Sequence, residues 1–230
     1  MEVREIREKY PYLYETHLHT REASACAKNS AQEMVQAAKD YGYAGIFVTN
    51  HAWYGNTSVD RSLPWEEWVH GFCAPFYTAK AYGDQIGLSV FFGYESCYQG
   101  TEFLIYGVDE EWLLTHPEIK DATITEQLQL VREQGGLVMH AHPFREEAYI
   151  PRVRLFPELV DGVEGINATH SSHLSTSHND PRFDERAIAY AREHDLPMSA
   201  GSDVHSTLML GGGIAFQMPL VSGRDYAERI

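Results

Sequence analysis

Short apolar runs ending near a histidine or a carboxylate alternate along this chain with amphipathic stretches at helical spacing. No other feature limits the fold as much. Residues 12–16 lead into His17, 44–49 into His51 and 88–94 into Glu95. Residues 103–108 form a further run, 136–139 lead into His140 and His142, and 163–167 into His170. Residues 197–200 lead towards Asp203 and His205, and 213–218 close the series. Between the runs, Ser30 with Glu33 forms a capping box for a helix with apolar Ala31, Met34, Val35 and Ala38, ended by Gly42. Thr123 with Glu126 opens another, closed at Gly135 and Gly136. Pro64 suits a first helical position, and Pro75 is expected to kink or split that helix. A last helix runs from Asp180 and Pro181 to His194, after a polar loop at 171–179. Strand–helix alternation calls for parallel strands joined by crossover helices. Seven or eight strands in 230 residues predict an α/β fold, a distorted (β/α)7 TIM-like barrel in a single domain, 1–230.

Charge and composition remove several functions. Lys and Arg number 18 against 33 Asp and Glu, a net charge of −15. Such a chain repels phosphate backbones, so duplex nucleic acid and anionic membranes are not expected partners. The start, MEVREIREKY, is charged and lacks the apolar core of a signal peptide. No apolar run approaches the roughly 20 residues of a membrane helix. Cys26, Cys73 and Cys97 are widely spaced and match no disulfide or zinc framework. A cytoplasmic, reducing location is expected. Neither GxGxxG nor GxxxxGK[ST] occurs.

In a (β/α) barrel, strand ends open on one face, where active sites lie. His17 and His19, in ETHLHT, stand two apart on a strand and so share a face, with Leu18 turned outward. Two imidazoles so placed can share one metal ion. Asp203 and His205, in AGSDVH, repeat the spacing, and a carboxylate with an imidazole suits Mn, Fe or Zn. In HAHPF, His142 is favoured as a ligand and His140 as a packing or supporting residue. Arg145 at the rim is expected either to clamp a phosphate or to pair with Glu146 or Glu147. His70, His116, His178 and His194 lack such context and read as structural or solvated. Trp53, Tyr54, Trp65 and Trp68 follow His51 and favour helix–barrel packing over a wall of the mouth.

The ordered set ETHLHT, TNH, GYE, HAHPF and GSDVH resembles the motifs of the PHP (polymerase and histidinol phosphatase) family. The resemblance spans most of the chain, from about Tyr14 to His205. It implies a distorted barrel holding two or three divalent ions (Mn, Fe or Zn) that hydrolyses phosphate esters. Matched position by position, it implies the ligands His17, His19, His51, His142, Asp203 and His205, with Glu95 as the bridging carboxylate. The sequence departs from the pattern twice. Ser24 or Cys26 stands where the family often has Asp or His, and Glu102 where it often has His. Glu102 could still ligate through oxygen, so the ions number two or three.

The expected chemistry follows from the residues. A carboxylate between two imidazole-rich sites can bridge two cations about 3.5–4 Å apart, and their shared water becomes the attacking hydroxide. Glu95 and Asp203 would hold the ions and Arg145 would stabilise charge on phosphorus, while His170 or His205 would protonate the leaving oxygen. The partner is a small phosphorylated substrate; the sequence indicates neither its identity nor an oligomeric state. A related amidohydrolase would want a bridging Lys, and no Lys falls on a predicted strand end. A non-catalytic metal-binding module should have lost ligands, which this chain retains.

Overall fold

The computed structural model describes residues 3–175 and 178–230. Met1, Glu2, and Thr176 and Ser177 of the polar segment 171–179 lie outside the described residues. Eight strands form one sheet: β1 (Tyr12–Leu18), β2 (Gly45–Val48), β3 (Ser89–Tyr98), β4 (Thr101–Tyr106), β5 (Leu137–Ala141), β6 (Gly162–Asn167), β7 (Met198–Gly201) and β8 (Ile214–Phe216). Among the described residues, seven α-helices accompany them: α1 (Val3–Lys9), α2 (Ala31–Tyr41), α3 (Trp65–Ile86), α4 (Glu110–Thr115), α5 (Ile124–Glu133), α6 (Arg182–Glu193) and α7 (Gly223–Arg229). No helix among the described residues is long and apolar enough to cross a membrane. The spatial order is β7-β6-β5-β4-β3-β2-β1-β8, a nearly closed, distorted TIM-like barrel.

Closure happens at both ends of β1. Its first residues pair antiparallel with β8, from Tyr12 against Phe216 to Tyr14 against Ile214. Its far end turns to β7. Thr16 Oγ1 donates to the Ala200 carbonyl at 2.9 Å, and Leu18 bridges Val204 in parallel register.

The expectation of parallel strands holds for β1–β2–β3 and β5–β6–β7 and fails at β4 and β8. β4 runs antiparallel to both β3 and β5. The cause is local. Gln99 and Gly100 both have positive φ (52° and 79°), the requirement of a two-residue type I′ turn. So tight a hairpin leaves no room for a crossover helix, and the chain must return alongside itself. Because β4 is reversed, its first residues lie at the same end as the last residues of its neighbours. The second correction concerns Pro75, which neither splits nor ends α3. The proline ring displaces the carbonyl four residues earlier. That residue is Gly71, which is exposed, so solvent can take the freed acceptor. Both capping boxes, Ser30 with Glu33 and Thr123 with Glu126, are formed.

The core is divided by the sheet. Leu18, Ile46, Val48 and Val90 face outward onto Met34, Val35 and Ala38 of α2, so Leu18 takes the expected orientation. Tyr14, Phe47, Leu104, Tyr106 and Met139 fill the end of the barrel remote from the histidines, with Tyr226 of α7 packed among them. Trp53, Trp65 and Trp68 stack edge and face within the α3 layer, as packing residues.

Gly45 sits where β1, β2 and β3 meet. A Cβ there would lie 2.7 Å from the Ser89 carbonyl oxygen and 2.8 Å from the Tyr14 ring. Gly45→Ala should therefore lower unfolding free energy by about 1–3 kcal/mol, the cost of overpacking. The urea midpoint should drop with little change in slope.

Candidate metal centre

The strand ends deliver their ionisable side chains to one place. His17 is the penultimate residue of β1 and His19 follows it. His51 forms a bridge with Glu95 of β3. Glu102 belongs to the reversed start of β4, His142 follows β5, and Asp203 and His205 follow β7. Glu95 is central. Its Oε1 lies 3.4 Å from His17 Nε2 and 3.1 Å from His142 Nε2. Its Oε2 lies 3.5 Å from His19 Nε2 and 2.8 Å from His51 Nδ1. Asp203 Oδ1 lies 3.5 Å from His17 Nε2 and 3.2 Å from His19 Nε2. His142 Nε2 is also 3.6 Å from Glu102 Oε2. Four triads of possible ligands arise: His17–Glu95–His142, His17–His19–Asp203, His19–His51–His205 and His51–Glu95–Glu102.

These separations fit ligands around cations. Two donors about 2.1 Å from one ion stand about 3.0 Å apart at a right angle and about 3.4 Å apart at a tetrahedral one. The hydrogen bonding agrees. His17 Nε2 and His19 Nε2 are buried without a hydrogen-bond partner. An unmade bond at each buried atom is costly. Cations placed among these atoms would satisfy them, so the residues present fit a polynuclear site.

The other ring nitrogens are held. His17 Nδ1 meets Glu164 Oε1 at 2.8 Å, and His205 Nδ1 meets the Asp203 carbonyl at 2.8 Å. A proton on each Nδ1 leaves Nε2 as the lone-pair donor, the usual support of a metal-binding imidazole. Ser24 Oγ lies 3.2 Å from His19 Nδ1, accepts from His51 N and donates to Asn50. Glu164 also accepts from His142 N and Asn167 Nδ2. Glu15 accepts from His17 N and Ser202 N at 2.9 and 2.8 Å, and burial pushes its carboxyl up to about 7. His142 and Asp203 adopt positive φ (26° and 52°). Such backbone is costly for non-glycine residues and concentrates at functional sites.

Charge is concentrated here. Burial works against ionisation of Glu95 and Asp203, yet His17 and the other cations hold both well below the usual carboxylate range. Burial likewise opposes charge on His17 and His51. It is outweighed by Glu164 and Asp203 at His17 and by Glu95 at His51, and both rise well above 6.5. His19 is pushed below 6.5 by burial and by the neighbouring His51 and His205. Cys26 lines the same cavity; burial opposes its ionisation, but His205 and His51 bring its thiol down to about 6.

Other sequence readings fall out as follows. Arg145 is buried and pairs with Asp203 Oδ2 at 2.6 Å, not with Glu146 or Glu147, which engage Arg186 and His178. His170 lies behind Arg145 and not on the cavity wall. Its Nδ1 meets Asp184 at 2.6 Å, so its Nε2 accepts from Arg145 Nε at 3.4 Å. A nitrogen occupied in that way has no proton to give. His140 is buried and stacks on Phe103. His178, read as structural or solvated, lines the cavity with Asn56 and Tyr149. Glu15, Glu164 and Asn50 were not singled out from sequence; a polar residue in an otherwise apolar strand was the available signal.

The cavity over these ligands measures about 330 Å³. A family model described as PHP-associated matches residues 181–222, the segment carrying Asp203 and His205. A two-domain protein of Bacteroides vulgatus containing a predicted PHP-like metal-dependent phosphoesterase superposes with a TM-score of 0.62. It is 16% identical, over 86% of this chain and 53% of that one, so the chain spans about half its length. By sequence, the match to a PHP-associated model covers residues 181–222 alone. A candidate metal-dependent phosphoesterase of Bifidobacterium adolescentis matches with a TM-score of 0.56 and 16% identity over 94% of each chain. An amidohydrolase of Chromobacterium violaceum, solved with bound sulfate and no metal, matches with a TM-score of 0.57 and 12% identity over 94% and 95%. At these identities the likeness is one of fold. No curated protein matches the sequence.

The charge pattern of this site predicts proton release on metal loading. With their raised pKa values, His17 and His51 are protonated at neutral pH in the metal-free protein, whereas Glu95 and Asp203 are already ionised. Metal must displace the imidazole protons, so affinity rises with pH below those raised values. Titration calorimetry of metal-free protein in buffers of different ionisation enthalpy should show net proton release. A buffer-independent heat would contradict the assignment.

Proposed function

We propose that the protein is a metal-dependent phosphoesterase, acting on a small phosphate ester with two or three divalent ions (Mn, Fe or Zn) held by His17, His19, His51, Glu95, Glu102, His142, Asp203 and His205. The carrying observation is Glu95, whose two oxygens face different pairs of histidines, His17 with His142 and His19 with His51. When bound, such ions supply Lewis acidity and lower the pKa of water. Arg145 is preset for a tetrahedral anion. Asp203, Thr169 and His170 engage its Nη2 and Nε, while Nη1 has no hydrogen-bond partner among the described residues. His170 thus positions Arg145, and the role of giving a proton to the leaving oxygen falls to His178, which Glu147 orients through Nδ1 at 2.8 Å.

The second reading is C–N hydrolysis, favoured by the fold likeness to the Chromobacterium amidohydrolase. One observation weighs against it. No lysine lines the cavity among the described residues, so the usual bridging group of that class is missing.

The deciding experiment is phosphate release from a panel of monoesters and diesters by metal-loaded protein, set beside cleavage of amides. Arg145→Ala should cost phosphoester turnover about 2–4 kcal/mol, the scale of one lost charge donor, and Arg145→Lys should recover only part. Parental turnover in the Ala variant would remove Arg145 from the mechanism; amide cleavage with every phosphoester intact would remove the phosphoesterase reading. For His178 the leaving group decides. His178→Gln should slow alkyl phosphates at least tenfold while sparing 4-nitrophenyl phosphate, whose phenolate needs no proton. Burial and Arg145 hold the His178 pKa below 6.5, so the alkyl rate should begin to fall as pH rises through that lowered value, on the acid side of 6.5.

A further inference from the structure

A second pocket adjoins the metal cavity. It measures about 870 Å³ and shares one wall with the cavity, the half-exposed ring of Tyr149. Its walls are the β3–β4 turn at Gln99 and Gly100, the first turn of α5 and the segment 149–156. Tyr54, Tyr98, Tyr149 and Phe156 supply flat apolar surface. The charge of the lining is unusual for this molecule. In a chain with 33 acidic and 18 basic residues, the pocket contains Arg152 and Arg154 and no carboxylate. The depression on the other side of α5, by contrast, carries Glu118, Asp121, Glu126 and Glu133. Arg154 is fixed, donating through Nε to Thr101 Oγ1 at 2.8 Å and through Nη2 to the Tyr98 carbonyl. Arg152 is exposed and makes no hydrogen bond or ion pair among the described residues.

We infer that this pocket receives the leaving alcohol of the substrate, and that the alcohol is an aromatic ring bearing a second negative charge. The inference rests on the phosphoesterase reading. A phosphate held at Arg145 and the ligand cluster places its ester oxygen towards Tyr149, the shared wall. The next group enters the pocket, where a ring stacks on tyrosine faces. An anionic substituent meets Arg152, whose fork suits a carboxylate or a second phosphate. A neutral polyol would gain nothing from the aromatic walls, and a cation would be repelled by both arginines.

Three monoesters separate these features: 4-carboxyphenyl phosphate, phenyl phosphate and glycerol 3-phosphate. The metal-loaded protein should have its lowest KM for the first and its highest for the last. Arg152→Ala should raise KM for 4-carboxyphenyl phosphate about fivefold, the scale of a partly solvated charge pair. The KM ratio between the two aryl esters should then approach one, and Arg152→Glu should invert it. Equal KM values for all three esters in the parent, or an unchanged ratio in both variants, would overturn the inference. Calorimetric binding of 4-hydroxybenzoate needs no turnover and distinguishes the two readings. Arg152-dependent binding without cleavage of any phosphoester would leave the pocket standing and remove the phosphoesterase reading. Phosphoester cleavage without 4-hydroxybenzoate binding would do the reverse.

Discussion

A single parallel bridge, Leu18 to Val204, ties the two ends of the barrel together at its mouth. Val204 N donates to the His17 carbonyl at 3.0 Å, and His19 N donates to the Val204 carbonyl at 2.9 Å. Val204 is thereby threaded between His17 and His19, and its chain neighbours Asp203 and His205 must fall against the same two rings. Asp203 accepts positive φ to do so. Glu15 reinforces the junction by taking both His17 N and Ser202 N on one oxygen. The hydrogen bonds that close the sheet are therefore the ones that assemble the ligands, and neither can be loosened separately.

The closure concentrates negative charge where water is scarce. Glu95, Asp203 and Glu164 are all buried, and burying isolated carboxylates costs several kcal/mol each. In the metal-free chain the compensation comes from protons on His17 and His51 and from the guanidinium of Arg145. Arg145 cannot shed its charge, but imidazoles near neutrality can. Those imidazole protons sit where divalent ions would, and two or three such ions would bring more positive charge than the protons they displace. The same balance explains Glu164. It lies one hydrogen bond behind His17, holding that ring's Nδ1 whether Nε2 carries a proton or a ligand bond.

How much of this was legible follows from the physics of each signal. His17–His19 and Asp203–His205 could be read because a period of two survives in strands whatever their neighbours do. The β-α alternation gave the barrel for the same reason: amphipathic helices need a sheet to cover. The reversal of β4 was not legible from hydrophobic pattern, since a strand buried on both faces reads alike in either direction. Its only marker was Gln99–Gly100, a weaker turn signal than Asn-Gly. Glu15 and Glu164 resemble solvent-facing strand residues until their backbone donors are seen. His170 stands at a strand end like the ligands, and only the hydrogen bond from Arg145 shows that its nitrogen is spent.

The division of the barrel interior has a consequence for how such a molecule can change. Tyr14, Phe47, Tyr106 and Tyr226 pack one end into a solid aromatic core, and the ligands at the other end are carried by strands or by residues next to them. Both halves depend on strand register, in which a shift of one residue exchanges the two faces. The segments lining the larger pocket have no such restriction. Residues 149–156 form no regular element and join the barrel through Arg154, bound to Thr101 and to the Tyr98 carbonyl. Arg152, two residues away, is free to be replaced without disturbing a strand or a ligand. The proposed chemistry would therefore be fixed by the sheet, while the proposed discrimination among leaving groups would rest on a loop that sequence change can reach at low structural cost.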